Sequence, residues 1–366
     1  MNGAGTESIE RKKLMEDQTM TGTGLRPRIT VLHALGKPDG TTRYVDHMIE
    51  SAPQELAVET FSWRTALFGK YDVFHIHWPE NLLRGKRRSS SALKKLMFLA
   101  LVARLRLTRR PIVRTMHNLD PHEGGGIVEG RLLGLCDSVT DGFVRLNTTT
   151  PLPPSSVSAT ILHGHYRDVP EYQCSIPQDP RRLLYFGLIR PYKGVDDLLD
   201  AFAHIDSRDL NLRVVGKPQD AALAAQIRQA SDSGENVSCR LEFLPDKDLA
   251  EEIAQAMLVV LPYREMHNSG STLLALSMAR PVLVPSTAVN RALEEEVGPG
   301  WVYLFDSPTL DEDTLRGVLV AVEGDRSTRA AEPNLSGRDW TTVGERHYAL
   351  YRELLAKNGD KSRAQI

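Results

Sequence analysis

The chain has 366 residues, a net charge of −2, 41% hydrophobic residues and 25% charged residues, which excludes wholesale disorder, a collagen-like repeat and a polyanion binder acting through the whole molecule. Cys136, Cys174 and Cys239 show no paired spacing, which argues against a disulfide framework and a structural zinc site. The longest apolar stretch singled out, Leu96 to Ala103, is eight residues, short of the roughly 20 that span a bilayer.

Residues 1–25 are polar, rich in Gly and Thr, and lack the apolar segment of a secretory signal. They read as a disordered tail on a cytoplasmic chain. Arg28–His33 reads as a buried strand, Gly36–Gly40 as a turn, and Thr41 or Thr42 as the cap of a helix through Ser51. Tyr71–His77 and Pro111–His117 are further strands. Between Glu80 and Asp120 there is no acidic residue but eleven cations, which leaves −13 on the rest of the chain. The apolar centre of that stretch, Leu96–Ala103, predicts either a core helix with a basic rim or a membrane-surface helix. Aromatic residues for base stacking are sparse there, so nucleic acid is not expected.

Residues 151–180 are proline-rich and read as a domain boundary. The pattern then restarts, with strands at 182–187, 212–216, 240–244, 258–262 and 281–285 and helices at 195–204, 221–230, 246–257 and 271–279 between them. Trp340–Leu355 reads as a closing helix. Strands alternating with helices predict parallel β-α-β units. The expected fold is α/β, with two Rossmann-like doubly wound domains across a central cleft. The expected division is 26–170 for the acceptor, 171–340 for the donor, and 341–366 as a carboxy-terminal helix and tail. Ligands should gather at the carboxyl ends of the strands.

In Tyr185–Leu199 a strand ends, Gly187 lets the chain turn, and Arg190 and Lys193 precede a helix N-terminus. Helix N–H groups and two cations suit a diphosphate. A surface turn with two solvated cations fits the same residues. Gly187-Leu-Ile-Arg-Pro-Tyr-Lys-Gly194 resembles the donor motif of glycosyltransferases of the family 4 type, which have the GT-B fold. Gly216 and Tyr263, at two later strand ends, also resemble that family. The resemblance implies that Arg190 and Lys193 bind the diphosphate of a nucleotide-sugar. It implies no metal and no cofactor beyond that co-substrate. In the family, two glutamates with seven residues between them touch the donor sugar and ribose; here Asn268 and Leu276 stand in their places. Asn268, Ser269, Gly270, Ser271 and Thr272 remain as donor-side groups before a helix, and Glu265 offers a carboxylate nearby. Asp311-Glu-Asp313 reads as helix-capping acids.

In the first half, His117, Asp120 and Glu123 follow a strand and are the candidate catalytic groups, an inverting transferase needing a base for the acceptor hydroxyl. A retaining one uses the departing phosphate instead. Gly40, Thr41, His77, Trp78 and Glu80 are expected to face the acceptor. His75 and His77 share a strand face without an evident third ligand, so no metal site is expected. His77-Trp-Pro-Glu80 resembles bacterial transferases that build surface polysaccharides on lipid carriers, among them the xanthan-type β-mannosyltransferases, which use GDP-mannose and invert. The resemblance implies sugar transfer to a glycan or lipid-linked acceptor, with residues 84–110 at an anionic inner membrane face. A UDP-sugar-using retaining enzyme and an inactive binding subunit are the alternatives.

Overall fold

The structure is a computed structural model that describes residues 29–37, 43–85, 87–117, 126–153, 156–205, 209–234, 236–306 and 308–363. It contains two six-stranded sheets in which every strand pair is parallel. The first has the order β2-β1-β3-β4-β5-β6, with β1 Ile29–His33, β2 Leu56–Thr60, β3 Val73–Ile76, β4 Ile112–Met116, β5 Gly142–Arg145 and β6 Val157–Thr160. The second has the order β12-β11-β10-β7-β8-β9, with β7 Arg182–Phe186, β8 Asn211–Val215, β9 Val237–Arg240, β10 Leu258–Val260, β11 Val282–Pro285 and β12 Val302–Phe305. In each sheet the strand order reverses beside the central strand, so a crevice opens at the carboxyl ends. Central strands such as β3, β10 and β11 are buried along their whole length, which explains their unbroken apolar runs.

Five of the helices begin at a polar side-chain cap. In order the helices are α1 Arg43–Glu50, α2 Trp63–Phe68, α3 Pro79–Leu83, α4 Arg88–Leu107, α5 Ile127–Val139, α6 Val195–Ala203, α7 Ala221–Ser233, α8 Asp246–Gln255, α9 Gly270–Ser277, α10 Ala288–Val297, α11 Glu312–Asp325 and α12 Trp340–Arg363. Ser62, Asp220, Ser269, Thr287 and Asp311 each accept a bond from a first-turn N–H. The acidic triplet at 311–313 is thus a helix cap, as expected.

In four places the structure corrects or adds to the expected layout. The strand placed at 240–244 ends at Arg240, and Phe243 stands 64% exposed in the loop beyond it. The proline-rich stretch is not all linker, because β6 pairs with β5 inside it. The closing helix α12 returns to the first domain, where Val343, Leu350, Tyr351 and Leu354 join the core with Val31, Val73 and Val144. Finally, α4 is not buried all round. Phe98, Leu101 and Leu105 face the core, while Leu93, Leu96, Leu99 and Leu107 face outward. Among the described residues no helix is long and apolar enough to cross a membrane.

Candidate active site

The motif after β7 folds as a cradle. Gly187 has φ +115°, and a Cβ there would lie 3.4 Å from Ser271 Oγ and 3.7 Å from Lys193 Nζ. The space left by the missing side chain therefore sits between a cation and a hydroxyl at the N-terminus of α9. Lys193 Nζ donates to Tyr263 Oη at 2.8 Å and lies 4.5 Å above that ring. Tyr263, expected to touch the donor, therefore first fixes the lysine. Arg190 keeps a buried Nε with no hydrogen-bond partner, an orphan donor of the kind an anion satisfies. Gly216 serves by absence too, since a Cβ there would fall 1.8 Å from the Gly187 carbonyl oxygen, at φ +145°. Only glycine lets those two strand ends meet.

Two cavities flank α9. One of about 230 Å³ takes in Gly187, Gly216, Gly270 and Ser271, with Glu242 and Phe243 from the loop after β9. The other, of about 610 Å³, lies between the domains and takes in Asn147, His163, Asn268, Ser269, Thr272 and Arg338. The expected donor groups are thus divided by one helix turn: Gly270 and Ser271 face the cradle, Ser269 and Thr272 the interdomain side. Thr272 Oγ1 is buried there without a partner. Asn268 spends both ends of its amide on the first domain, donating to the His117 carbonyl at 2.7 Å and accepting from Asn147 at 2.9 Å. Glu265 is exposed on its loop and lines none of the three cavities described here.

Across the cleft a third cavity, of about 510 Å³, is lined by Trp78 together with Asp46, Phe61, Trp63, Asn81 and Lys94. Only Trp78 among these was expected. Asp46, Trp63 and Lys94 lie on three separate helices, so no local motif joins them. Glu80 sits half-buried in the first turn of α3 and does not line this cavity. Gly40, Thr41, Asp120 and Glu123 lie outside the described residues.

His77 is not free to meet an acceptor. It is buried, with Nε2 2.9 Å from His33 Nδ1 and Nδ1 3.0 Å from His117 Nε2. His75, stacked on His77 at 4.4 Å, bonds Tyr351 Oη at 2.6 Å and Thr115 Oγ1 at 2.8 Å. A third imidazole thus does stand by the pair, which corrects the sequence reading: ring nitrogens of His33, His75 and His77 come within 4.8 Å of one another. His75 and His77 lie nearly parallel, however, at 22°. The facing nitrogens are spent on one another, on Tyr351 and on Thr115.

Burial pushes His33 and His117 down to about 3, and His163 and His347 to about 4; His75 and His77 also fall well below the usual range. All stand neutral at pH 7. Trp78 stacks on His117 at 4.3 Å, so the aromatic wall and the histidine form one surface. His33 and Tyr351 carry no local signature, since they reach the cluster from β1 and from the far end of the chain.

Comparison with known proteins gives the family and the fold. A family model described as glycosyl transferases group 1 matches residues 180–315, which hold the cradle. The GDP-mannose:glycolipid 4-beta-D-mannosyltransferase of Xanthomonas campestris pv. campestris is 43% identical over 345 residues, covering 93% of this chain and 97% of that protein. Among solved structures, a glycosyltransferase from Rickettsia africae ESF-5 superposes with a TM-score of 0.62 at 10% identity, covering 90% of this chain and 99% of the other. Anabaena Alr3699/HepE in complex with UDP does so with 0.59 at 14% identity, covering 92% and 99%. At such identities the two structures speak for the fold, which is GT-B.

Proposed function

The chain belongs to the same family of glycosyltransferases as the Xanthomonas enzyme, and from that premise we propose that it moves mannose from GDP-mannose to a glycolipid hydroxyl at an anionic membrane surface. The observation that carries the donor side is the cradle, where Gly187, Lys193 and Ser271 leave a gap beside a helix N-terminus. A diphosphate placed there meets Lys193, Arg190 and the free N–H groups of α9. These groups stabilise the charge that develops as the sugar–phosphate bond breaks. Thr272 and Asn268 stand on the sugar side of that helix turn. The 230 Å³ cavity takes the base. Glu242 at its rim can accept from the N1–H and N2–H edge of guanine, an edge that uracil lacks, and Phe243 offers an exposed face for stacking.

The acceptor enters the 510 Å³ cavity, where Trp63 and Trp78 suit a sugar ring and Lys94 an anionic headgroup. A β-linked product from an α-linked donor requires inversion, hence a proton acceptor. His117 is the described group nearest that task, with Asp120 and Glu123 next along the chain. Membrane contact is supported by the outward row Leu93, Leu96, Leu99 and Leu107, flanked by exposed Arg87, Arg88, Arg106 and Arg109, with exposed Phe68 and Ile127 on helices packed beside α4. Thermal unfolding against a nucleotide panel tests the donor. GDP and GDP-mannose should raise the melting temperature with concentration. A shift with UDP compounds alone would discard mannose, and no shift at all would point to an inactive binding subunit.

A further inference from the structure

The reading above uses His117 alone, yet His117 is the outer end of a buried row. In order, Thr115 Oγ1 lies 2.8 Å from His75 Nε2, and His75 Nδ1 lies 2.6 Å from Tyr351 Oη. Tyr351 Oη is 3.5 Å from His33 Nε2, His33 Nδ1 is 2.9 Å from His77 Nε2, and His77 Nδ1 is 3.0 Å from His117 Nε2. A neutral imidazole has one donor and one acceptor nitrogen. The row must therefore be polarised in one sense or the other along its length. In one sense His117 carries its proton on Nε2 and turns the Nδ1 lone pair outward; in the other it presents Nδ1–H. Its carbonyl is held by Asn268 of the other domain, so the outer end lies at the cleft.

We infer that this row is a proton relay for the transfer reaction, with His77, His33 and Tyr351 as positioning residues for His117. The inference rests on His117 being the proton acceptor. As the acceptor oxygen bonds to the anomeric carbon, the bond from that carbon to the diphosphate oxygen breaks with its electron pair. The hydroxyl proton goes to His117 Nδ1. His117 passes its Nε2 proton to His77 Nδ1, and His77 passes its own Nε2 proton to His33 Nδ1. After product release the proton returns to water by the reverse path. A cation confined to one buried ring is costly, and sharing it along a hydrogen-bonded row lowers that cost. The surrounding groups make sharing necessary. Tyr44 of α1 stands edge-on to His77 and His117, Trp78 stacks on His117, and His347 of α12 and His163 lie close by. Among the described residues, the titratable groups that act on the four rings are other histidines, with no carboxylate among them.

Tyr351→Phe removes one oxygen, breaks the row between His75 and His33, and touches neither His77 nor His117. Its test is GDP release from GDP-mannose with octyl β-D-glucoside as the acceptor probe, beside ¹⁵N spectra of the histidine rings. The expected result is a folded protein whose donor KM stays within about twofold and whose kcat falls about 10-fold, with His77→Gln falling about 100-fold. The ring nitrogens of His117 should shift in Tyr351→Phe although the two residues are separated by two rings. A folded Tyr351→Phe with wild-type kcat and unchanged His117 nitrogens overturns the relay. If that variant does not fold, His33→Gln carries the same two readouts. His117→Gln separates the two ideas. Should it retain turnover, the role of His117 fails. Should it lose turnover while Tyr351→Phe and His77→Gln keep theirs, only the relay fails.

Discussion

Burying this many neutral imidazoles in one domain has a cost in acid that can be worked out ring by ring. Above the unfolded value of about 6.5 both states are neutral and the rings cost nothing. Below it the unfolded chain takes up protons while the folded chain refuses them until about 3 for His33 and His117 and about 4 for His163 and His347. Stability is therefore whole above pH 6.5 and is lost as pH falls through that window, by about 1.4 kcal/mol per pH unit for each ring. At pH 5 each ring has cost about 2 kcal/mol, and the four together about 8, which rivals the whole stability of an ordinary domain. Urea unfolding followed by circular dichroism at pH 7.5 and 5.0 measures this directly. His347 has a buried Nε2 with no partner, so His347→Leu should remove about 2 kcal/mol of the pH dependence. Equal stability at the two pH values, to within about 1 kcal/mol, would refute the reasoning.

Four other outcomes are expected. Lys193→Ala should keep its melting temperature while turnover falls about 10²- to 10³-fold, because one charge leaves the diphosphate cradle; steady-state kinetics on the purified variant checks it. Gly216→Ala should lower the melting temperature by more than about 5 °C and abolish nucleotide binding, since the new methyl meets the Gly187 carbonyl. Gly130→Ala, with open space around it in α5, should stabilise by about 1 kcal/mol in the same scan. Replacing Leu96 and Leu99 by Asp should abolish sedimentation with phosphatidylglycerol vesicles and leave the fold intact. Wild-type binding that is equal on phosphatidylcholine would defeat the electrostatic part of the membrane reading.

The alternation of short apolar runs with amphipathic stretches was enough to specify two parallel α/β domains, because parallel strands buried on both faces have no polar side to show. The phosphate cradle was equally legible. Gly187, Arg190 and Lys193 lie within one turn of chain, and a helix N-terminus attracts anions wherever it occurs. The edge strands β2 and β6 were not legible because their half-exposed residues lack that apolar signature, whereas β5 and β12 are short runs of only four residues. The orientation of α4 was not readable either. Its apolar residues encircle the helix, and only packing decides that Phe98 turns inward and Leu96 outward. The histidine row lay furthest from view. Its members come from β1, β3, β4 and a helix near the chain's end, brought together by sheet order and by the return of α12 across the first domain. Local sequence places chemistry that acts within a loop, whereas hydrogen bonds between residues 276 positions apart, as in His75 and Tyr351, exist only once the strands have been ordered and the last helix has docked.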